Sequence, residues 1–178
     1  MGAKLNLDEG GKHKFKHELT GYGTVLIGGD ADSRKSEMLR HMDEPVIVVD
    51  GADVDEARDV WVSILLGAYP DDLSADELKD ARVSSRKAKQ ALIDTDSGVL
   101  LHGFDEMDSE VQTDVAQHFK GIAEGVNGLG VKPRGIRLAF LMNFEQEIGF
   151  TAVEGNPVVR AERDLSMRVR TWELESEE

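Results

Sequence analysis

Lys35 and Ser36 close an eight-residue run, Gly29-Asp30-Ala31-Asp32-Ser33-Arg34-Lys35-Ser36, set between an apolar β-branched stretch and a helical one. A lysine followed by a hydroxyl residue at the mouth of a helix suits phosphate. Backbone N–H groups and the helix N-terminus hold the anion, the ammonium reaches the terminal phosphates, and the hydroxyl ligates magnesium. The run fits the phosphate-loop pattern G-x-x-x-x-G-K-[ST] at every specified position except the second glycine, which is Arg34. Asp30 and Asp32 oppose an anion in the same loop. Each carboxylate within about 4 Å of a phosphate charge costs roughly 1 kcal/mol in water and about 4 at an effective dielectric of 20. Strong salt or bound magnesium lowers that cost.

A second constellation follows an apolar strand, Val99-Leu100-Leu101-His102-Gly103-Phe104, which runs into Asp105-Glu106. Two adjacent carboxylates then stand at the C-terminal end of a buried parallel strand, where open α/β sheets bind their ligands. There Asp105 holds magnesium, directly or through water, and Glu106 orients and polarises an attacking water. The competing use of such a pair is to cap the next helix, and Asp108 and Ser109 already serve that purpose. His102 reads as a core-adjacent histidine, and His13, His17, His41 and His118 lack the spacing with carboxylates of a zinc site. No G-x-S-x-G nucleophile elbow is present.

Taken together, the loop ending in Lys35-Ser36 and the strand-end pair Asp105-Glu106 resemble the AAA+ family, the ring-forming branch of P-loop ATPases with an acidic pair after the Walker B strand. The resemblance runs from about Gly21 to Leu174. It implies an α/β, three-layer P-loop NTPase fold with a central, mainly parallel five-stranded sheet, and ATP and Mg2+ as cofactors. In this family the next strand ends in a polar residue, often Asn, that sits between the two motifs and positions the lytic water; Asn143, after Ile136 to Met142, matches it. The family also carries an arginine near the start of the last strand that reaches the neighbouring subunit's nucleotide. Arg168 is the better match, with Arg163 and Arg160 as alternatives. The resemblance thus implies catalytic roles for Glu106, Asn143 and Arg168, nucleotide binding by Gly29, Arg34, Lys35 and Ser36, and metal binding by Ser36 and Asp105. The family's helical lid has no counterpart after Leu174, so either a partner closes the site or the chain is a reduced member.

The implied activity is ATP hydrolysis that remodels or loads a protein or nucleic-acid client, in a homo- or hetero-oligomer. An alternative is a non-catalytic AAA+-like interaction subunit that keeps the fold and has lost nucleotide binding through its altered loop. A small P-loop kinase is the third reading. It is disfavoured because an Asp-Glu pair followed by a strand ending in Asn suits water activation better than transfer to an acceptor.

Positioning these residues requires alternating strands and helices. Apolar β-branched runs predict strands at Thr24–Ile27, Val46–Val49, Val99–Phe104, Ile136–Met142 and Met167–Leu174. Helical spacing predicts Ser36–Met42, Val54–Ala68, a single helix from Ala75 to Ile93, Val111–Val126 and a short Val158–Leu165. Ser109 with Gln112 fits a capping box, and Gly125 to Gly135, with four glycines and Pro133, predicts a loop. Such alternation implies a parallel sheet covered on both faces. The expected organisation is an N-terminal arm over 1–18 with a basic patch from Lys12 to His17, one domain over 19–174, and an acidic tail over 175–178.

Composition agrees with one folded domain. The 178 residues are 40% hydrophobic and 31% charged, without cysteine, which excludes disulfides and thiolate metal sites. Lys and Arg total 21 against 35 Asp and Glu, a net charge of -14. That disfavours generic nucleic-acid binding, which needs a basic surface, and it is the composition of proteins from high-salt cytoplasm. No apolar run approaches the roughly 20 residues of a spanning helix, and no secretion signal is recognisable. A cytoplasmic protein without membrane contact is expected.

Overall fold

The computed structural model describes residues 3–5, 24–29, 39–40, 42, 44–123, 138–143 and 169–174. Among the described residues, six strands form one sheet: β1 (Ala3–Leu5), β2 (Thr24–Gly29), β3 (Val46–Asp50), β4 (Gly98–His102), β5 (Leu138–Asn143) and β6 (Val169–Leu174). Their order is β1-β6-β2-β5-β4-β3, and every neighbouring pair is parallel. Parallel neighbours cannot be joined by tight turns, so the chain must cross over between them. Among the described residues the crossovers carry α1 (Ala57–Ala68), a short α2 (Ala75–Leu78), α3 (Ser85–Thr95) and α4 (Ser109–Ala123).

The alternation of side chains along β3 and β4 decides where the core sits. Ile47 and Val49 on β3, in register with Val99 and Leu101 on β4, are all buried. They meet Val60 and Ile64 of α1, Ala88 and Leu92 of α3, and Val115 of α4 in one apolar cluster. Leu100 points to the other face and is fully buried, whereas its register partner Val48 is 41% exposed. The second face is therefore covered over β4 and open at the β3 edge.

Three local expectations are corrected, and one short strand is added: among the described residues, Ala3–Leu5 of the expected arm pairs with Trp172–Leu174 of β6; three residues are too few to show a two-residue period. The single helix expected from Ala75 to Ile93 is two, α2 and α3. Arg58 reaches from α1 to donate to the carbonyls of Leu78 (2.5 Å) and Ala81 (2.8 Å), and Ser84 starts α3 by accepting from the Lys87 N–H (3.4 Å). The helix expected from Val54 begins at Ala57, since Gly51–Asp53 forms a 3-10 turn and Asp59 fixes the entry by accepting from the N–H groups of Asp55 (2.9 Å) and Glu56 (3.0 Å). The Ser109–Gln112 capping box is not made: Ser109 is the first residue of α4, and the Gln112 amide points away from it. Apart from residues 39, 40 and 42, the helices expected over Ser36–Met42 and Val158–Leu165 lie outside the described residues, as does the glycine-rich loop.

Candidate functional site

The C-terminal ends of the parallel strands gather the sequence-predicted residues that the structure describes. Gly29 is the last residue of β2 and Asn143 the last of β5, and the two are register partners. β2 runs two residues beyond its expected end because Gly28 and Gly29 still pair with Met142 and Asn143. β4 flanks β5 on the other side and ends at His102. Gly103 then turns the chain, with φ at 67°, into a 3-10 turn over Phe104–Glu106. That turn lies against β5 and against the Gly51–Asp53 turn that follows β3. Arg34, Lys35, Ser36 and Arg168 lie outside the described residues.

The acidic turn is fixed by its neighbours. Phe104 is 1% exposed and anchors it in the core, which leaves Asp105 half-buried and Glu106 exposed. The Glu106 N–H donates to the Gly103 carbonyl at 2.9 Å, and the Met107 N–H to that of Phe104 at 3.4 Å. The Glu106 side chain folds back over Gly103, where an added Cβ would meet Glu106 Oε2 at 2.6 Å and Asp50 Oδ1 at 3.4 Å. Two carboxylates therefore share the space above Gly103. From the other side Gly51 approaches so closely that an added Cβ there would collide with the Gly103 carbonyl.

Several of these residues escape a reading by motif. Asp50 ends β3, accepts from the Ala52 N–H at 3.0 Å, and stands 3.8 Å from Nδ1 of His102, its register partner. Gln112, 4% exposed, donates from Nε2 to the carbonyls of Phe104 (3.0 Å) and Met107 (2.8 Å), one on each side of the Asp105-Glu106 pair. The signal for Asp50 is its place at a strand end. Gln112 gives no motif-level signal beyond the capping pattern, because its partners are backbone groups. His118, on α4, stays apart from this cluster: its ring lies 5.7 Å from that of Trp61, and Nδ1 is 3.0 Å from Asp114 Oδ1.

Among the described residues, the strand ends carry the carboxylates of Asp50, Asp105 and Glu106. Mg2+ takes hard oxygen ligands and keeps several waters, using one or two carboxylates plus phosphate oxygens instead of an all-protein cage. Asp105 offers one such carboxylate at the strand end. Among the described residues no three His, Asp or Glu side chains are grouped to hold a metal by themselves.

No protein-family model and no curated protein matches the sequence. Solved structures similar to the chain include the crystal structure of Cdc6p from Pyrobaculum aerophilum, at 10% identity and a TM-score of 0.47, over 93% of this chain and 45% of that one. Others are chains of Drosophila ORC bound to AT-rich DNA and Cdc6 (12% identity, TM-score 0.43, 95% of this chain and 59% of that one) and of Drosophila ORC bound to GC-rich DNA and Cdc6 (14%, 0.38, 93% and 57%). The chain spans about half the length of these solved chains.

Proposed function

We propose that this chain is an AAA+-like P-loop protein that binds ATP with Mg2+ at the C-terminal strand ends, hydrolyses it, and uses the turnover to remodel or load a macromolecular partner. One observation carries the reading: β5 lies between β2 and β4, so Asn143 stands between Gly29, where the lysine-bearing loop begins, and the turn of Asp105 and Glu106. The crevice outside such strand ends is where open α/β sheets take ligands.

In this reading Lys35 and Arg34 neutralise phosphate charge, Gly29 opens the loop, and Ser36 and Asp105 hold the metal. Mg2+ held by Ser36 and Asp105 would supply positive charge to offset the negative charge that develops on the phosphate. Glu106 orients and polarises the attacking water, Asn143 helps place it, and Arg168 acts on the nucleotide of a neighbouring subunit. Among the described residues no helix is long and apolar enough to cross a membrane.

The test is a titration with magnesium-ATP in about 2 M KCl, read by thermal unfolding and by phosphate release. Ligand at a hundredfold excess over its Kd stabilises a fold by about 2.7 kcal/mol. Wild type gains that stability and Lys35→Ala does not, while Glu106→Gln keeps the gain and loses phosphate release. If wild type gains nothing, the altered loop does not hold nucleotide, and the second reading, a non-catalytic interaction subunit, takes its place.

A further inference from the structure

Gln112 is the fourth residue of α4, and its side chain ties together both ends of the acidic turn. The residue is 4% exposed, and Nε2 donates at 3.0 Å to the Phe104 carbonyl and at 2.8 Å to that of Met107. Its backbone N–H donates to the Asp108 carbonyl at 2.9 Å, so its own helix holds it in place. The flipped amide would set an oxygen against two carbonyl oxygens, which fixes the orientation. Oε1 is buried without a hydrogen-bond partner among the described residues. An unsatisfied buried oxygen is unfavourable, and leucine or methionine would fill similar space without it. The fold therefore uses this residue for its two donors more than for its bulk.

We propose that Gln112 is a positioning residue, which clamps the Phe104–Met107 turn through its side-chain amide and so sets the direction of the Glu106 carboxylate. The proposal rests on the ATPase reading of Glu106. Without the clamp, the Phe104 and Met107 carbonyls, one at each end of the acidic pair, each lose a side-chain donor, and the carboxylate over Gly103 loses that tie at its base.

The experiment compares wild type, Gln112→Leu and Gln112→Glu, all as the full chain, by kcat, ATP Kd, melting temperature and hydrogen exchange at the Glu106 and Met107 amides. Misplacing a reacting group by about 1 Å costs about 100-fold in rate, so Gln112→Leu is expected to lose about that factor in kcat while Kd stays within about twofold. Exchange at the two amides should quicken. Gln112→Glu offers no donor when ionised and one when protonated. Burial beside two carbonyl oxygens raises the pKa of the introduced carboxyl, so this variant should match Gln112→Leu at about pH 8 and regain kcat relative to wild type as the pH falls.

A Gln112→Leu kcat within about threefold of wild type, a loss confined to KM, or no acid recovery in Gln112→Glu overturns the proposal. If Gln112→Leu does not fold, the pH series on Gln112→Glu decides alone. A wild type that binds nucleotide without turnover overturns the ATPase reading and the catalytic half of this one. The exchange rates then settle separately whether Gln112 holds the turn.

Discussion

Gly103 is the residue on which the acidic turn depends most directly. Its φ of 67° lies in the left-handed region, and the missing Cβ leaves the space that Glu106 Oε2 occupies. Gly103→Ala is therefore expected to cost about 1–2 kcal/mol for the backbone conformation and to push the Glu106 carboxylate aside. Urea unfolding should show the first effect; under the ATPase reading, a fall in kcat larger than any change in Kd shows the second. A variant of full stability and full turnover would mean that neither constraint matters. Asp105 and Glu106 were legible in the sequence because a strand run points straight at them. Gly103 and Gly51 were not, because their need for hydrogen in place of Cβ arises from two turns meeting across strands about 50 residues apart in sequence, as the Gly51 approach to the Gly103 carbonyl shows. The strand pattern places His102 beside the core, but its approach to Asp50 depends on the β3–β4 register, which periodicity does not specify.

Among the elements, α1 was the most legible, since Val60, Trp61, Ile64 and Leu65 fall on one helical face and all are buried. Its start is not legible, because Val54, apolar and in phase, belongs to the end of a 3-10 turn instead. The segment after it was harder to read. Leu78, Ala88 and Leu92 keep helical spacing across the break between α2 and α3, so the hydrophobic pattern hides a discontinuity that Arg58 and Ser84 create with polar bonds. Arg58 donates to the part-buried carbonyl of Ala81 and shares that of Leu78 with the Ala81 N–H, which reaches it at 3.3 Å. Arg58→Ala should therefore destabilise the protein by about 1–3 kcal/mol, the range for stranding a buried polar group. Hydrogen exchange should locate the loss in 75–83, with α3 and β4 keeping their protection. Uniform loss across α1 and β4 would show that Arg58 supports the whole core and not this connection.

For the whole molecule, charge sets the terms of association. A net charge of -14 on 178 residues makes copies repel one another, and the Debye length falls from about 10 Å at 0.1 M salt to about 3 Å at 1 M. Sedimentation in nucleotide should accordingly show larger assemblies in 2 M KCl than in 0.1 M; the same mass in both would remove charge repulsion as the limit on assembly. Assembly matters for the chemistry because the role proposed for Arg168 needs a neighbour. Mixing two inactive variants tests that role. Lys35→Ala lacks its nucleotide contact but keeps Arg168, while Arg168→Ala binds nucleotide but has no arginine to offer. If Arg168 acts across an interface, an equal mixture in 2 M KCl contains sites where a Lys35-bearing subunit meets an Arg168-bearing one, and phosphate release returns to a sizeable fraction of wild type, rising with protein concentration. If the arginine acts within its own subunit, every site in the mixture still lacks one of the two groups, and the mixture stays as inactive as its parts.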